Sequence, residues 1–195
     1  MKKILTSILL VIFFNTNALS ENSYVFGGIK IFNYGIETGD LQDLNQSLID
    51  LGFSSSTSET DNTGVGFDVG IGVGLAEGVS VEAGYVNYGT LEIKTTLTGP
   101  SESLTTEISG DGVTVAGVLN LEGIYLKGGI HSWDFTGTVS TTKGSSSQAL
   151  GTGTDPFFGI GFADKNFGYS FEHYIIDDGD ISSVNVFYRM PFWEL

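Results

Sequence analysis

The stretch from Phe67 to Gly89, FDVGIGVGLAEGVSVEAGYVNYG, alternates between two unlike sets of residues. One set is aliphatic or aromatic, and the other contains glycine, serine and the carboxylates Asp68 and Glu82. A period of two is typical of a β-strand with one apolar and one polar face. A water-soluble sheet would turn the apolar face inward, whereas a barrel that lies in lipid would turn it outward. The position of the charges elsewhere in the chain decides between these arrangements.

The first twenty residues have the order of a secretory signal peptide. Lys2 and Lys3 precede an apolar run, and small residues at Ala18 and Ser20 suit cleavage after Ser20. The apolar run is too short to span a bilayer, and an uncleaved anchor is the alternative. We therefore expect a signal peptide at 1–20 and a single domain at 21–195.

Composition excludes several classes of function. Loss of residues 1–20 removes two lysines and no acid, so the net charge of −15 becomes −17, which argues against a nucleic-acid partner. The absence of cysteine excludes disulfides and thiolate metal sites.

Eight strand-like segments follow one another, and most have the length of roughly 9–11 residues that a tilted strand needs to cross a membrane. They are Ser23–Tyr34, Thr63–Leu75, Gly78–Glu92, Glu107–Asn120, Gly123–Phe135, Asp155–Ala163, Phe167–Ile176 and Ile181–Phe192. Tight turns at residues 76–78, 121–123 and 164–166 alternate with longer polar links at 36–62, 98–106 and 138–154, and with the short acidic link Asp177-Asp178-Gly179-Asp180. Short turns at one end and long loops at the other are typical of an outer-membrane barrel, with both chain ends on the periplasmic side.

The charges within the strands support the inside-out arrangement. If the apolar face of each strand points to lipid, six charged side chains point inward: Lys30, Asp68, Glu82, Lys127, Glu172 and Arg189. Three cations and three anions form a neutral set within an acidic chain. Because an unpaired buried charge costs several kcal/mol, neutrality is what an interior requires. The sequence therefore predicts an all-β, eight-stranded antiparallel up-and-down transmembrane β-barrel with a paired ionic core. A soluble sandwich or lipocalin-like barrel is the alternative.

Other inward residues bear on the packing of this lumen. Eight strands leave just enough room for side chains to fill the interior. We expect the glycines of the second strand (Gly66, Gly70, Gly72 and Gly74) to make room for Tyr125 and Trp133 across the lumen. By the same alternation, Tyr24, Phe26 and Phe187 also point inward. They either fill space in the lumen or indicate a bulge that shifts the register.

The first long link contains a predicted short amphipathic helix, GDLQDLNQSLIDLG, in the first extracellular loop. Leu41, Leu44, Leu48 and Leu51 fall close to one stripe, with Asp40 as N-cap and Gly52 at the C-terminal end. The simplest interpretation is a loop helix that covers its own apolar face, and a membrane-lying or partner-binding helix is the alternative.

Several segments resemble the OmpA-like transmembrane domain family. LEGIYLKGGIHSWDF, TDPFFGIGF and YSFEHYIIDDGDISSVNVFYR are similar to that family's last four strands, and GVGFDVGIGVGLAEGVSVEAGYVNYG is similar to its second and third. The resemblance implies an outer-membrane barrel with a salt-bridge network that includes Glu82, Lys127, Glu172 and Arg189. Family members often continue into a peptidoglycan-binding domain, which we do not expect here. The family's terminal assembly signal corresponds to Tyr188 and Phe192, although Trp193-Glu194-Leu195 follow and Leu195 is the alternative.

The sequence predicts no catalytic, cofactor or metal site. His131 and His173 are its only histidines, and Ser132 points to the opposite strand face from His131, so these neighbours make a poor nucleophile–base pair. The acidic loops match no calcium-loop spacing, so solvated carboxylates are the simpler interpretation and bound Ca²⁺ or Mg²⁺ the alternative.

We therefore expect a non-enzymatic, monomeric, porin-like β-barrel of the Gram-negative outer membrane, with a structural or surface-interaction role. Its expected partners are outer-membrane lipid, lipopolysaccharide and the barrel-assembly machinery. A narrow channel or small-solute pore is the first alternative, although water-filled pores usually need about 16 strands. A lipid A-modifying barrel enzyme is the second.

Overall fold

The computed structural model describes residues 23–53, 55–98, 102–164, 166–176 and 179–192. Within these ranges the chain forms one helix and nine strands. The helix is α1 (Thr38–Asp50). The strands are β1 (Tyr24–Asn33), β2 (Ser55–Thr60), β3 (Thr63–Ala76), β4 (Val79–Thr98), β5 (Glu102–Leu121), β6 (Ile124–Thr141), β7 (Gly144–Ala163), β8 (Phe167–Tyr174) and β9 (Ile181–Pro191). The predicted signal peptide at 1–20 lies outside the described residues.

Eight of these strands close into a ring, which confirms the predicted barrel. Each of β3 to β8 pairs antiparallel with the strand that follows it, and β1 pairs with both β3 and β9. The short strand β2 stands outside the ring and pairs with the far part of β4. The N–H of Phe192 donates to the carbonyl of Ser23 over 3.0 Å, so both ends of the described chain lie together. We call this the terminal end of the barrel and the opposite one the distal end.

The barrel wall has an apolar exterior and a charged interior. Ile29 is 65% exposed on the outside, while its neighbour Lys30 is fully buried inside. The same alternation continues around the ring, with these exposed outward residues: Phe67, Val69, Val81, Val113, Val115, Leu126, Ile130, Phe158, Ile160, Phe162, Tyr169, Phe171, Val184, Val186 and Tyr188. Such a band of outward apolar side chains would be costly in water and is what a lipid-embedded barrel presents.

Four strands run well beyond the predicted boundaries. β4, β5 and β7 have 20 residues each and β6 has 18, so the predicted polar links at 98–106 and 138–154 are largely strand. The link between β6 and β7 is reduced to a turn at Thr142-Lys143. These segments are rich in serine and in threonine, and threonine is a β-branched residue that is enriched in strands. The prediction was wrong because it took the membrane-crossing length as the strand length.

A bulge in β4 marks the start of this distal extension. The pairing of β4 with β5 shifts between Asn87 and Gly89, and Gly89 adopts a φ of +80°. Consequently Tyr88 and Gly89 are both buried, and the inward parity changes from even to odd residue numbers. Distal to the bulge, Leu91, Ile93, Thr95 and Leu97 are buried, and Glu92, Lys94 and Thr96 between them are exposed. The extension of β4 is thus mainly apolar inside and polar outside, like a water-soluble sheet.

The predicted helix is present, with a different N-cap. α1 begins after Glu37, and Asp40 lies in its first turn, where its carboxylate accepts a 2.8 Å hydrogen bond from the Glu37 N–H. Gly52, with a φ of +103°, follows the helix and donates to the carbonyl of Ile49. The helix packs against β2, where Asn45 accepts hydrogen bonds from the hydroxyls of Ser56 and Ser58. Among the described helical residues, no helix has the length and apolar character needed to cross a membrane.

Glycines face aromatic rings on neighbouring strands rather than across the lumen. A Cβ at Gly70 would lie 2.6 Å from the Phe26 ring, and one at Gly72 would lie 2.2 Å from the Tyr24 ring. The predicted partners of these two glycines, Tyr125 and Trp133, were therefore wrong. Tyr24, Phe26 and Phe187 fill the lumen, because the pairing of β1 with β3 and β9 shows no register shift.

Candidate functional site in the barrel lumen

The six predicted inward charges form one continuous chain of ion pairs. In spatial order it runs Asp68, Lys30, Glu172, Lys127, Glu82, Arg189. The Nζ atom of Lys30 lies 3.2 Å from an Asp68 oxygen and also binds Glu172 directly. The Nζ atom of Lys127 lies 4.0 Å from Glu172 and 3.0 Å from Glu82, and Arg189 lies 3.4 Å from Glu82. Because cations and anions alternate, each interior charge has at least one opposite neighbour.

Six different strands supply these side chains. Glu82 comes from β4, Lys127 from β6 and Glu172 from β8, and the other three come from β1, β3 and β9. The chain of ion pairs therefore crosses the lumen instead of following one strand. Closure of the ring and neutralisation of the charges depend on each other, since opposite charges that pair in the lumen come from different strands.

Tyrosines that sequence reasoning had not assigned complete the network. The Tyr174 hydroxyl donates to Glu172 over 2.6 Å and accepts from Lys30 over 3.0 Å. The Tyr24 hydroxyl donates to Glu82 over 2.7 Å, and the Arg189 guanidinium lies 5.0 Å from the Tyr24 ring centroid. Tyr174 shares its parity with Glu172, two residues earlier, and that spacing could have identified it.

A layer of rings covers the distal side of the ion pairs. Phe32, Tyr88, His131, Phe157 and Tyr174 are all nearly or fully buried. Phe157 stacks on Tyr174 at 5.1 Å, and His131 meets Tyr174 edge-on at the same separation. The two nitrogens of His131 lie 2.6 Å from the Tyr88 hydroxyl and 3.1 Å from the Ile175 carbonyl. Hydrogen bonds thus hold this histidine in the middle of β6. We call this set the aromatic layer.

Each end of the lumen opens into a cavity. At the terminal end, a cavity of about 340 Å³ is lined by Tyr24, Ser80 and Arg189 among others. At the distal end, a cavity of about 220 Å³ lies above the aromatic layer, and Leu91, Trp133 and Phe135 are part of its lining. The ion pairs and the aromatic layer lie between the two cavities.

The second histidine lies on the outside of the barrel, near the distal rim. The Nδ1 atom of His173 lies 3.0 Å from the Ser182 hydroxyl, and its Nε2 atom lies 3.2 Å from a carboxylate oxygen of Asp180. Ser182 faces His173 across the β8–β9 pair. Sequence reasoning missed this trio because a turn separates its members. Ser132, by contrast, pairs with Val113 and makes no described contact with His131.

Two titrating groups at the distal end have shifted pKa values. Burial raises the pKa of the Tyr34 phenol, whose hydroxyl donates to the Tyr88 carbonyl over 2.6 Å. A hydrogen bond with Glu92 raises the pKa of the exposed Lys94 side chain, and the two charged groups lie 2.8 Å apart. The only other base in the distal segments 31–62, 90–111, 134–155 and 175–181 is Lys143.

The remaining predicted positions show no assembled site. Among the residues that the structure describes, no three His, Cys, Asp or Glu side chains converge as metal ligands. Asp177 and Asp178 of the acidic link lie outside the described residues. Tyr188 is exposed on β9, and Phe192 is half-buried just after it. Their role as an assembly signal stays a prediction.

The fold is similar to that of outer-membrane β-barrel proteins. The crystal structure of Ail, the attachment invasion locus protein of Yersinia pestis, in complex with the heparin analogue sucrose octasulfate matches at a TM-score of 0.51 with 15% identity, over 86% of this chain and 97% of Ail. Neisserial surface protein A matches at 0.43 with 11% identity over 88% and 97% of the two chains. The N-terminal β-barrel domain of Pseudomonas aeruginosa OprF matches at 0.37 with 14% identity over 87% and 98%.

The match with Ail shows the class of fold: an eight-stranded outer-membrane barrel. No protein-family model matches this chain, and no curated protein matches its sequence. What this barrel does must therefore be argued from its own residues.

Proposed function

We propose that this chain is an integral β-barrel of the Gram-negative outer membrane, with a closed lumen and a structural or surface-interaction role without catalysis. One observation carries the proposal: a neutral chain of six buried charges lies inside a wall whose outward side chains are apolar. In water, the apolar side chains of the exterior would be exposed at a cost. In a bilayer, these side chains contact lipid and the paired charges are kept away from it inside the barrel.

The distal end is the one that we assign to the cell exterior. It carries α1, β2 and the extended strands, whereas the terminal end has tight turns such as Glu122-Gly123, with φ values of +50° and +97°. Short periplasmic turns and longer extracellular segments are the usual arrangement. The extension raises a polar outer surface above the lipid, which suits contact with molecules outside the cell.

Fractionation of cells combined with gel mobility tests compartment and fold together. The protein should sediment with outer membranes, and unheated samples should migrate differently from boiled ones because a closed barrel resists detergent at room temperature. Recovery in the soluble fraction, or one mobility for both samples, would contradict the proposal.

Planar-bilayer recordings separate a closed lumen from the channel alternative. We expect the purified barrel to give no stable nanosiemens steps, because ion pairs and the aromatic layer occupy the lumen. A Tyr88→Ala/Phe157→Ala variant removes two rings of that layer and serves as a positive comparison. Regular conductance by the unmodified barrel would favour the pore.

A second candidate function, acyl-ester cleavage at the distal rim, rests on the contacts among His173, Ser182 and Asp180. A serine hydroxyl bonded to an imidazole that a carboxylate orients is the arrangement of a nucleophile and its base. Here the trio lies on the outer surface, where a lipid ester could reach it. The same contacts would equally join β8 to β9 without chemistry. Mass spectrometry of lipid A tests this candidate in cells that produce the wild type, Ser182→Ala or His173→Gln. Identical spectra would support the non-catalytic proposal. Deacylation by the wild type that is lost in both variants would support catalysis instead.

The partners follow from this placement. We propose that the exposed band contacts outer-membrane lipid and lipopolysaccharide as a monomer, after insertion by the barrel-assembly machinery. Divalent ions would bridge the acidic distal residues to lipopolysaccharide, although no three metal ligands converge among the described side chains. Calorimetry of refolded protein with millimolar Ca²⁺ tests that bridge, and the absence of heat would remove it.

A further inference from the structure

The distal cavity has the lining of a ligand site rather than of a solvent vestibule. Its volume is about 220 Å³, and Tyr34, Leu91, Trp133, Phe135, Leu150 and Ile181 form most of its wall. An apolar cavity of roughly 150 Å³ is known to hold one benzene ring. This cavity therefore has room for one substituted ring or a short branched alkyl group.

The polar atoms of the lining are already occupied. The Trp133 indole N–H donates to Asp155 over 2.6 Å, and the Tyr34 hydroxyl donates to the Tyr88 carbonyl. A ligand would thus meet apolar contacts and ring faces but no free indole or phenol proton. The buried part of the ligand must be apolar, because a buried polar group without a partner costs free energy.

Charge at the rim selects among apolar ligands. Asp155 accepts the hydrogen bond of the Trp133 indole. Asp180 lies between Gly179 and Ile181, both of which line the cavity, and its carboxylate also contacts His173 on the outside of the wall. Lys94, one of the two bases in the distal segments, is paired with Glu92. The rim is consequently negative, which repels carboxylates and attracts ammonium groups.

We propose that this cavity binds small organic molecules with a single aromatic ring or a short branched alkyl group and no negative charge, and that it prefers cationic members of the series. The ring enters among Trp133, Phe135 and Leu150, and the charged end remains at the acidic rim. Neither an ion-paired lumen nor a structural role requires such a cavity.

Three ligands that share a phenyl ring and a short chain test the proposal: 2-phenylethylamine, 2-phenylethanol and 3-phenylpropionate. The protein is the full chain with Trp193→Phe, reconstituted in lipid nanodiscs, so that Trp133 is the only tryptophan. Empty nanodiscs correct for ligand that partitions into lipid. We expect saturable changes in Trp133 fluorescence with the amine and the alcohol. The amine should bind about tenfold more tightly than the carboxylate at low salt, with the difference shrinking at about 1 M salt.

A pair of leucine variants locates the site. Leu150 lines the cavity and is 54% exposed, so Leu150→Asn should weaken binding of the alcohol by about tenfold without unfolding the barrel. Leu51, which is 77% exposed after α1 and outside the lining, provides the control Leu51→Asn, which should bind like the parent. Gel mobility with and without heating verifies that each variant is folded.

Each possible result either supports or overturns the proposed ligand site. Saturable binding in the expected charge order, weakened by Leu150→Asn alone, supports the site. The proposal is overturned by the absence of saturable binding for all three ligands, by a carboxylate that binds as well as the amine, or by equal affinities of the two leucine variants. The ligand series uses an unaltered lining, so it remains decisive even if Leu150→Asn does not fold. None of these results depends on the conductance that tests the closed lumen.

Discussion

Glu172 occupies the central position in the chain of ion pairs, and its replacement by glutamine is the sharpest test of that network. Its side chain is fully buried and contacts Lys30, Lys127 and Tyr174. Glu172→Gln keeps the shape and removes one negative charge. Asp68, at 3.2 Å, is then the only carboxylate paired with Lys30, and Glu82, at 3.0 Å, is the only one paired with Lys127, so the interior gains a net positive charge.

The expected cost is about 3–5 kcal/mol, the range for removing one partner of a buried ion pair. Arg189→Ala should cost less, about 1–3 kcal/mol, because Glu82 keeps Lys127 as a partner. Glu92→Gln provides the matched control. Glu92 pairs with Lys94, but the two side chains are 45% and 64% exposed, so this change should cost at most about 1 kcal/mol.

Urea unfolding in detergent micelles, followed by tryptophan fluorescence, measures these differences. A double variant sharpens the test, since Glu172→Gln with Lys127→Met restores a neutral interior and leaves the pairs Lys30–Asp68 and Arg189–Glu82. Its cost should fall below the sum of the single costs by about 1–3 kcal/mol. Strictly additive costs, or equal costs for Glu172→Gln and Glu92→Gln, would refute the network.

Three further predictions concern packing, lipid contact and alkaline pH. Gly70→Ala should destabilise the barrel by about 1–3 kcal/mol in the same urea assay, because the new Cβ would lie 2.3 Å from the Ala83 carbonyl oxygen, whereas Gly117→Ala, with its nearest neighbour at 3.9 Å, should have little effect. Ile29→Arg should cost about 2–4 kcal/mol in lipid vesicles, while Thr96→Arg on the exposed side of the distal extension should be nearly neutral, and equal costs would contradict the assigned lipid band. Burial raises the pKa of Tyr34, so its contribution to stability is complete below about pH 10 and is lost as the pH rises through the unfolded value towards the folded one. The stability advantage of the wild type over Tyr34→Phe should therefore fall by about 1.4 kcal/mol between pH 8 and 11, and a constant difference would show that the phenol titrates normally.

The ionic lumen could be predicted from the sequence because parity alone decides which side of a strand a residue takes. Lys30, Asp68 and Glu82 each stand between apolar neighbours, so their direction needed no knowledge of the tertiary structure. The order of the pairs could not be predicted in this way. It depends on the stagger between strands, which brings Lys127 within reach of both Glu82 and Glu172. The contacts among His173, Asp180 and Ser182 could not be predicted from the sequence either, because a turn separates these residues.

The distal extension shows why a correct parity rule can still place residues wrongly. In β4 the apolar residues Val79 and Val81 before the bulge and Leu91 and Ile93 after it all have odd numbers. The sequence alone therefore assigns one face to all four. The bulge at Gly89 adds one residue and turns Leu91 and Ile93 into the lumen, whereas Val79 and Val81 stay outside.

In β5 the apolar side chains also move from the outer to the inner face, but without a bulge. Its register with β6 is unbroken, so its inward side stays on even numbers along the whole strand. Here the sequence itself changes, from outward Val113 and Val115 to inward Ile108. In both β4 and β5 the apolar side chains thus change from the outer face to the inner face of the wall. The change occurs at the same level of the barrel, at the pair Asn87 and Asp111. A change of solvent at that level accounts for both, since lipid requires the first pattern and water the second. The edge of the membrane can therefore be located from the wall of the barrel itself.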